Sequence, residues 1–163
     1  MMLRPRQALM VQRCRAALDQ YGNTLGMAVV GAGKTIMLSA VAGSVLDQSD
    51  AKACILAHRD ELTAQNRAKF ARVNPGLSTS VFDSREKSWA GQATFAMVQT
   101  LSGHRHLETM PALDLLVIDE AHHSASASYR RVIDGVLNKN PNAKVFGVTA
   151  TPKEQGLSLG YRF

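Results

Sequence analysis

Apolar positions along the chain follow two rhythms. Ala8, Val11, Cys14, Leu18 and Tyr21 fall three and four residues apart, which predicts a helix from Pro5 to Tyr21 with Gly22 as its stop. Leu25 to Val30 is a short apolar run ending at Gly31-Ala32-Gly33. Lys34 to Leu46 reads as a buried helix carrying Ile36, Met37, Ala40, Val41 and Val45. Cys54 to Ala57 is a second short apolar run. Asp60 and Glu61 then supply acids for the first turn of a helix reaching about Val73, where Asn74-Pro75-Gly76 breaks it. Thr79 to Phe82 and Thr94 to Val98 are strand candidates on either side of a polar loop, Asp83 to Gln92. Leu113 to Asp119 holds the strongest buried-strand signal, Leu115-Leu116-Val117-Ile118. Tyr129, Val132, Ile133, Val136 and Leu137 mark one face of a helix, and Lys144 to Thr149 is a last strand.

Short apolar strands alternating with helices predict an α/β fold, a mostly parallel sheet covered by helices on both faces. Ligands of such sheets bind at the carboxyl ends of the strands. The positions to inspect are therefore Gly31 to Thr35, His58 and Arg59, Gln99 and Thr100, Asp119 to His123, and Thr149 to Pro152.

Composition narrows the class. The 163 residues fit one domain, and 45% hydrophobic with 20% charged residues excludes a disordered or fibrous chain. The formal charge of +6 permits a polyanionic partner without establishing one. Cys14 and Cys54 are the only cysteines, and both read as small core residues, so no disulfide framework organises the fold. No apolar run approaches the ~18 residues of a membrane span. The N-terminus lacks a secretory apolar segment, and a cytoplasmic location is expected.

Ala28-Val29-Val30-Gly31-Ala32-Gly33-Lys34-Thr35 lies between a predicted strand and a predicted helix. It matches the phosphate-loop form with Ala28 in place of the first Gly. Gly31 and Gly33 allow a sharp turn that points backbone N–H groups inward, and the helix adds the positive end of its dipole. Lys34 can reach outer phosphates, and Thr35 can offer its hydroxyl to Mg²⁺. A plain Gly-rich turn bearing an exposed lysine is the bland alternative, and the flanking strand and helix weigh against it. Leu115 to Glu120 is a buried strand running into two carboxylates, which must meet a cation or a donor as they emerge. Asp119 is placed to hold Mg²⁺, and Glu120 to orient and deprotonate a water aimed at a terminal phosphate. His104, His106 and His123 show no usual metal-ligand spacing, so Mg²⁺ at a phosphate site is the one metal inferred. Trp89 reads as a loop aromatic covering core.

Asp119-Glu120-Ala121-His122, with the phosphate loop and Thr149-Ala150-Thr151-Pro152, resembles the first RecA-like domain of superfamily 2 helicases and translocases of the DEAH-containing kind. The sequence Asp-Glu-Ala-His-His, followed by Ser128-Tyr129-Arg130-Arg131, is similar to the branch of excision-repair-type helicases and restriction-enzyme motors. The resemblance runs from Leu3 to Gly160. It implies a RecA-like phosphate-loop NTPase lobe that uses ATP and Mg²⁺. Within it, Val30, Gly31, Ala32, Gly33, Lys34 and Thr35 would bind phosphates, and Gln7 of Leu3-Arg4-Pro5-Arg6-Gln7 would read the adenine edge. Lys34, Asp119 and Glu120 would be catalytic, with Thr35 and Asp119 on Mg²⁺. His122, Thr149 and Thr151 would couple hydrolysis to movement. Ala57-His58-Arg59-Asp60-Glu61-Leu62 and Val98-Gln99-Thr100-Leu101 resemble segments that touch a nucleic-acid backbone, through Arg59, Gln99 and Thr100.

Val29 and Val30 stand where the family often has Pro and Thr, and no aromatic upstream of Gln7 is evident. The family works with two RecA-like domains, the second supplying arginines to the transition state. Here residues 1–163 form the first, so the second domain is expected outside this chain, and the single lobe is expected to be a weakly active monomer. Three functions compete: a DNA-directed (or RNA-directed) helicase or translocase lobe, a different phosphate-loop ATPase or kinase, and a nucleotide-binding module without turnover.

Overall fold

A computed structural model of the chain describes residues 3–27, 33–47 and 50–149. Its strands are β1 (Asn23–Met27), β2 (Ala53–Ala57), β3 (Thr79–Phe82), β4 (Ala93–Met97), β5 (Leu115–Asp119) and β6 (Lys144–Thr149). Its helices are α1 (Pro5–Tyr21), α2 (Lys34–Val45), α3 (Asp60–Val73), α4 (Val98–Leu101), α5 (His104–Thr109) and α6 (Ala127–Lys139), with a 3₁₀ turn at Ala121–His123. The strands form one six-stranded sheet in the order β1-β6-β5-β2-β4-β3. Every strand pairing in it is parallel.

The period of two along the central strands builds two cores. From β2 and β5, Ala53, Ile55, Leu115 and Val117 face one side, packed with Cys14 and Leu18 of α1, Met37, Leu38 and Val41 of α2, and Phe70 of α3. Cys54, Leu56, Leu116 and Ile118 face the other, against Val98 and Leu101 of α4 and Tyr129, Val132, Ile133 and Val136 of α6. Continuous burial along β2 and β5 is what a sheet covered on both faces requires. The two cysteines are buried, and burial pushes the Cys54 thiol up to about 12. Trp89 lies on Phe82, ring centroids 5.0 Å apart, as an aromatic capping the second core.

Several boundaries differ from the sequence expectation. The first strand begins at Asn23, two residues before Leu25, and residues 28–30 of the expected run lie outside the described residues. Polar Asn23 and Thr24 are tolerated because β1 is an edge strand, paired on one side with β6. Val98 belongs to α4, not to the preceding strand, and Leu113 and Asp114 precede β5. The polar loop 83–92 carries one antiparallel bridge, between Phe82 and Lys87. Helices α4 and α5 fill the segment after β4 that the hydrophobic pattern leaves unassigned.

Gly91 is fixed by close approach. A Cβ there would lie 2.5 Å from the carbonyl carbon of Thr79 and 2.7 Å from the nitrogen of Ser80, both backbone atoms. The Gly91 N–H donates to Ser80 Oγ at 3.1 Å, so the loop is pinned to β3. Gly91→Ala is expected to lower unfolding free energy by about 1–3 kcal/mol in denaturant titrations. A variant as stable as the parent contradicts this packing.

Candidate active site

The strand order sets the geometry. The ends of β1 and β5 are separated by one strand, β6, so α2, entered from the end of β1, starts within reach of β5. Lys34 is the first residue of α2, and Gly33, its N-cap, has φ 83°, a left-handed conformation that favours glycine. A Cβ at Gly33 would collide with Nε2 of Gln7, so the Gln7 amide lies directly against the phosphate-loop exit. Gln7 Oε1 accepts from the Arg4 N–H at 3.0 Å, closing the first turn of α1. Thr35 begins the same turn of α2, and its carbonyl accepts from the buried Ser39 hydroxyl at 2.7 Å. Val30, Gly31 and Ala32 lie outside the described residues, as does Thr151.

Asp119 shares its strand parity with Leu115 and Val117, so its side chain emerges on the face covered by α2 and α3. It has no exposed surface. Three donors meet it. Lys34 Nζ lies 2.9 Å from Oδ1, the Glu120 N–H donates to Oδ1 at 2.9 Å, and Asn66 Nδ2 donates to Oδ2 at 2.9 Å. Glu120 is the one non-glycine described residue with positive φ, at 55°. Adjacent side chains on an unbroken strand point to opposite faces. The left-handed turn brings Glu120 round to the same lysine, with Oε1 2.6 Å from Lys34 Nζ. Such a conformation costs on the order of 1–3 kcal/mol and persists where its surroundings fix it. Burial would lower the Lys34 pKa, but the hydrogen bonds and charges of Glu120 and Asp119 outweigh it and hold the ammonium above its ordinary value.

Behind the acids, the Tyr129 hydroxyl and Ser124 Oγ are buried without hydrogen-bond partners among the described residues. Burial first, then the Asp119 and Glu120 charges, raise the Tyr129 phenol. The backbone of His122 lies in the 3₁₀ turn that follows Glu120, and its side chain is not among those described. Thr149, 2% exposed, ends β6 opposite Met27.

The remaining predicted positions gather at the neighbouring carboxyl ends of β2 and β4. Arg59 and Gln99 are exposed and Thr100 is half-buried. Gln99 Nε2 donates to the His58 carbonyl at 2.7 Å, and Arg59 Nε donates to His58 Nε2 at 3.3 Å. The His58 ring meets that of His123 edge-on, centroids 4.6 Å apart. This contact links the Arg59 segment to the turn after Glu120, and sequence reading missed it because 65 positions separate the two rings (123 less 58). Sequence reading also missed Asn66. Its only signal is polarity inside the buried stripe Thr63, Asn66, Phe70 of α3.

The all-parallel six-stranded sheet covered by helices is the RecA-like α/β fold of helicase domains. The family model described as Type III restriction enzyme, res subunit matches residues 1–154, and the chain belongs to that family. It is 29% identical over 162 residues to "Putative ATP-dependent helicase IRC3" of Saccharomyces cerevisiae, covering 91% of this chain and 23% of that protein. It is 30% identical over 156 residues to "Putative mitochondrial ATP-dependent helicase irc3" of Schizosaccharomyces pombe, covering 91% of this chain and 26% of the relative. The chain thus spans about a quarter of these relatives. Among solved structures, the Pyrococcus furiosus Hef helicase domain superposes with a TM-score of 0.77 at 22% identity, over 98% of this chain and 37% of that one. The Sulfolobus solfataricus SWI2/SNF2 ATPase core in complex with dsDNA gives 0.73 at 18%, over 97% and 34%.

His58 supplies a pH signature. Burial, with the nearby His123 and Arg59 charges, lowers its pKa from the ordinary 6.5. The unfolded chain therefore binds that proton more tightly. The stability His58 contributes is fully present above pH 6.5 and is lost as pH falls through its lower folded value. Thermal melts between pH 7.5 and 5 are expected to show a smaller acid-induced drop for His58→Asn than for the parent. Equal drops in the two proteins contradict the assignment.

Proposed function

We propose that this chain is the ATP-hydrolysing lobe of a DNA-directed helicase or translocase. The observation that carries the reading is the Lys34 ammonium seated between two acids at the strand end, 2.9 Å from Asp119 and 2.6 Å from Glu120. Lys34 and the two acids are within contact, and the cation the acids hold is the lysine's own ammonium. The donor set therefore fits a magnesium nucleotide.

In this reading the backbone around Val30, Gly31, Ala32 and Gly33 cradles the phosphates, and Gln7, held against Gly33, meets the base. Lys34 leaves Glu120 and moves to the outer phosphates. Mg²⁺, when bound, supplies charge neutralisation at the phosphates, with Thr35 and Asp119 as its ligands. Glu120, released from the lysine, orients and deprotonates the attacking water. Arg59, Gln99 and Thr100 grip the DNA backbone independently of sequence, consistent with the net charge of +6. His122, Thr149 and Thr151, in the DEAH and Thr-Ala-Thr segments, pass the state of the nucleotide to that surface. A second RecA-like domain outside residues 1–163 supplies the arginines that complete the transition state. DNA is favoured over RNA because two structural neighbours were solved with DNA or a DNA mimic. Among the described residues no helix is long and apolar enough to cross a membrane. One relative is named as mitochondrial.

The test compares Mg-ATP hydrolysis by this chain and by a version extended into the following domain, with and without single-stranded and duplex DNA. The extended protein is expected to show DNA-stimulated turnover that Glu120→Gln lowers by roughly 10²–10⁴-fold. Turnover unchanged by any nucleic acid, DNA or RNA, refutes the motor reading.

A further inference from the structure

Asp119 has two carboxylate oxygens, and the structure treats them differently. Oδ1 faces mobile chemistry: the Lys34 ammonium and the Glu120 N–H both reach it at 2.9 Å. Oδ2 faces the Asn66 amide at 2.9 Å, from a residue 1% exposed on the buried stripe of α3. A buried asparagine amide is costly unless bonded, and a buried carboxylate more so. The contact spans 53 positions in sequence and bridges helix α3 to strand β5. When Lys34 swings toward phosphate, Oδ1 loses its cation, but nothing in that movement disturbs Oδ2.

We propose that Asn66 is a positioning residue for the metal site: by holding Oδ2 of Asp119 it fixes the carboxylate rotamer that turns Oδ1 toward Mg²⁺. This rests on the proposed nucleotide reading and deepens it. The Asn66 amide donates one hydrogen bond to Oδ2, which orients the carboxylate, so it acts through Asp119. It also gives helix α3 a second duty. Arg59 is the N-cap of α3, and its carbonyl accepts from the Thr63 hydroxyl at 3.1 Å, so the segment assigned to the DNA backbone is fastened to the same helix two turns before Asn66. A shift of α3 caused at Arg59 moves the donor that aims Asp119.

The test measures binding of a fluorescent ADP to the folded chain across a Mg²⁺ titration, for the parent, Asn66→Leu, which keeps the branched shape without a donor, and Asn66→Ala. The expected result is a 10–100-fold higher Mg²⁺ concentration for half-maximal tightening in both variants, with ADP affinity in the absence of Mg²⁺ unchanged. Lost outer hydrogen bonds to metal ligands characteristically give that size of effect. Variants that match the parent across the titration overturn the proposal while leaving the nucleotide reading intact. Equal losses with and without Mg²⁺ overturn it in favour of a purely structural role. A parent protein that shows no Mg²⁺-dependent tightening refutes the nucleotide reading itself, and the proposal with it. Should neither variant fold, the side-chain amide resonances of Asn66 in the parent decide: they are expected to shift on adding Mg-ADP beyond any change caused by ADP alone. Resonances that ignore Mg²⁺ contradict the proposal.

Discussion

Asp119 ends a fully buried strand with a carboxylate that has no exposed surface, and its surroundings offset that cost. An unpaired carboxylate there would be expelled or neutralised. Instead an ammonium from α2, an amide from α3 and the next residue's own N–H converge on its two oxygens. These donors come from three chain segments, so the carboxylate is fully partnered only if the sheet order and the packing of both helices are right. Site and fold are thus a single constraint: a shift in strand register would turn Asp119 to the other face, toward α4 and α6, away from Lys34 and Asn66.

On the proposed reading, the same arrangement gives the lysine two alternative sets of partners. Lys34 is held by Asp119 and Glu120, and its ammonium is favoured by them over the cost of burial. A phosphate group arriving at the α2 N-terminus offers a competing set of negative oxygens, together with the backbone N–H groups and dipole of the helix. On that reading, release of Glu120 follows from nucleotide arrival without a separate trigger. The left-handed Glu120 backbone is what turns its carboxylate toward Lys34.

Much of this was legible in the sequence. Runs such as Leu115 to Ile118 are apolar on both parities, a signature of a strand covered on two sides, and Tyr129, Val132, Ile133 and Val136 gave α6 its face. Asp119 and Glu120 stood out because carboxylates directly follow that run. Helices α4 and α5, with 4 and 6 residues, are too short to repeat a helical period, so no pattern marks them. Asn23 and Thr24 carry no strand signal because an edge strand needs less apolar surface. Asn66 and the His58–His123 contact were invisible for a different reason: each acquires meaning only from a partner brought near by sheet order. A polar residue on a helix stripe reads as a defect until Asp119 is placed beside it.

The most direct measurement is a crystal structure of the chain with Mg²⁺ and a non-hydrolysable ATP analogue. The account predicts Lys34 Nζ withdrawn from Glu120 and bonded to the outer phosphates, Asp119 Oδ1 turned to the metal, and Asp119 Oδ2 still on Asn66. A nucleotide bound elsewhere, or Lys34 still paired with Glu120 beside a bound nucleotide, would contradict it.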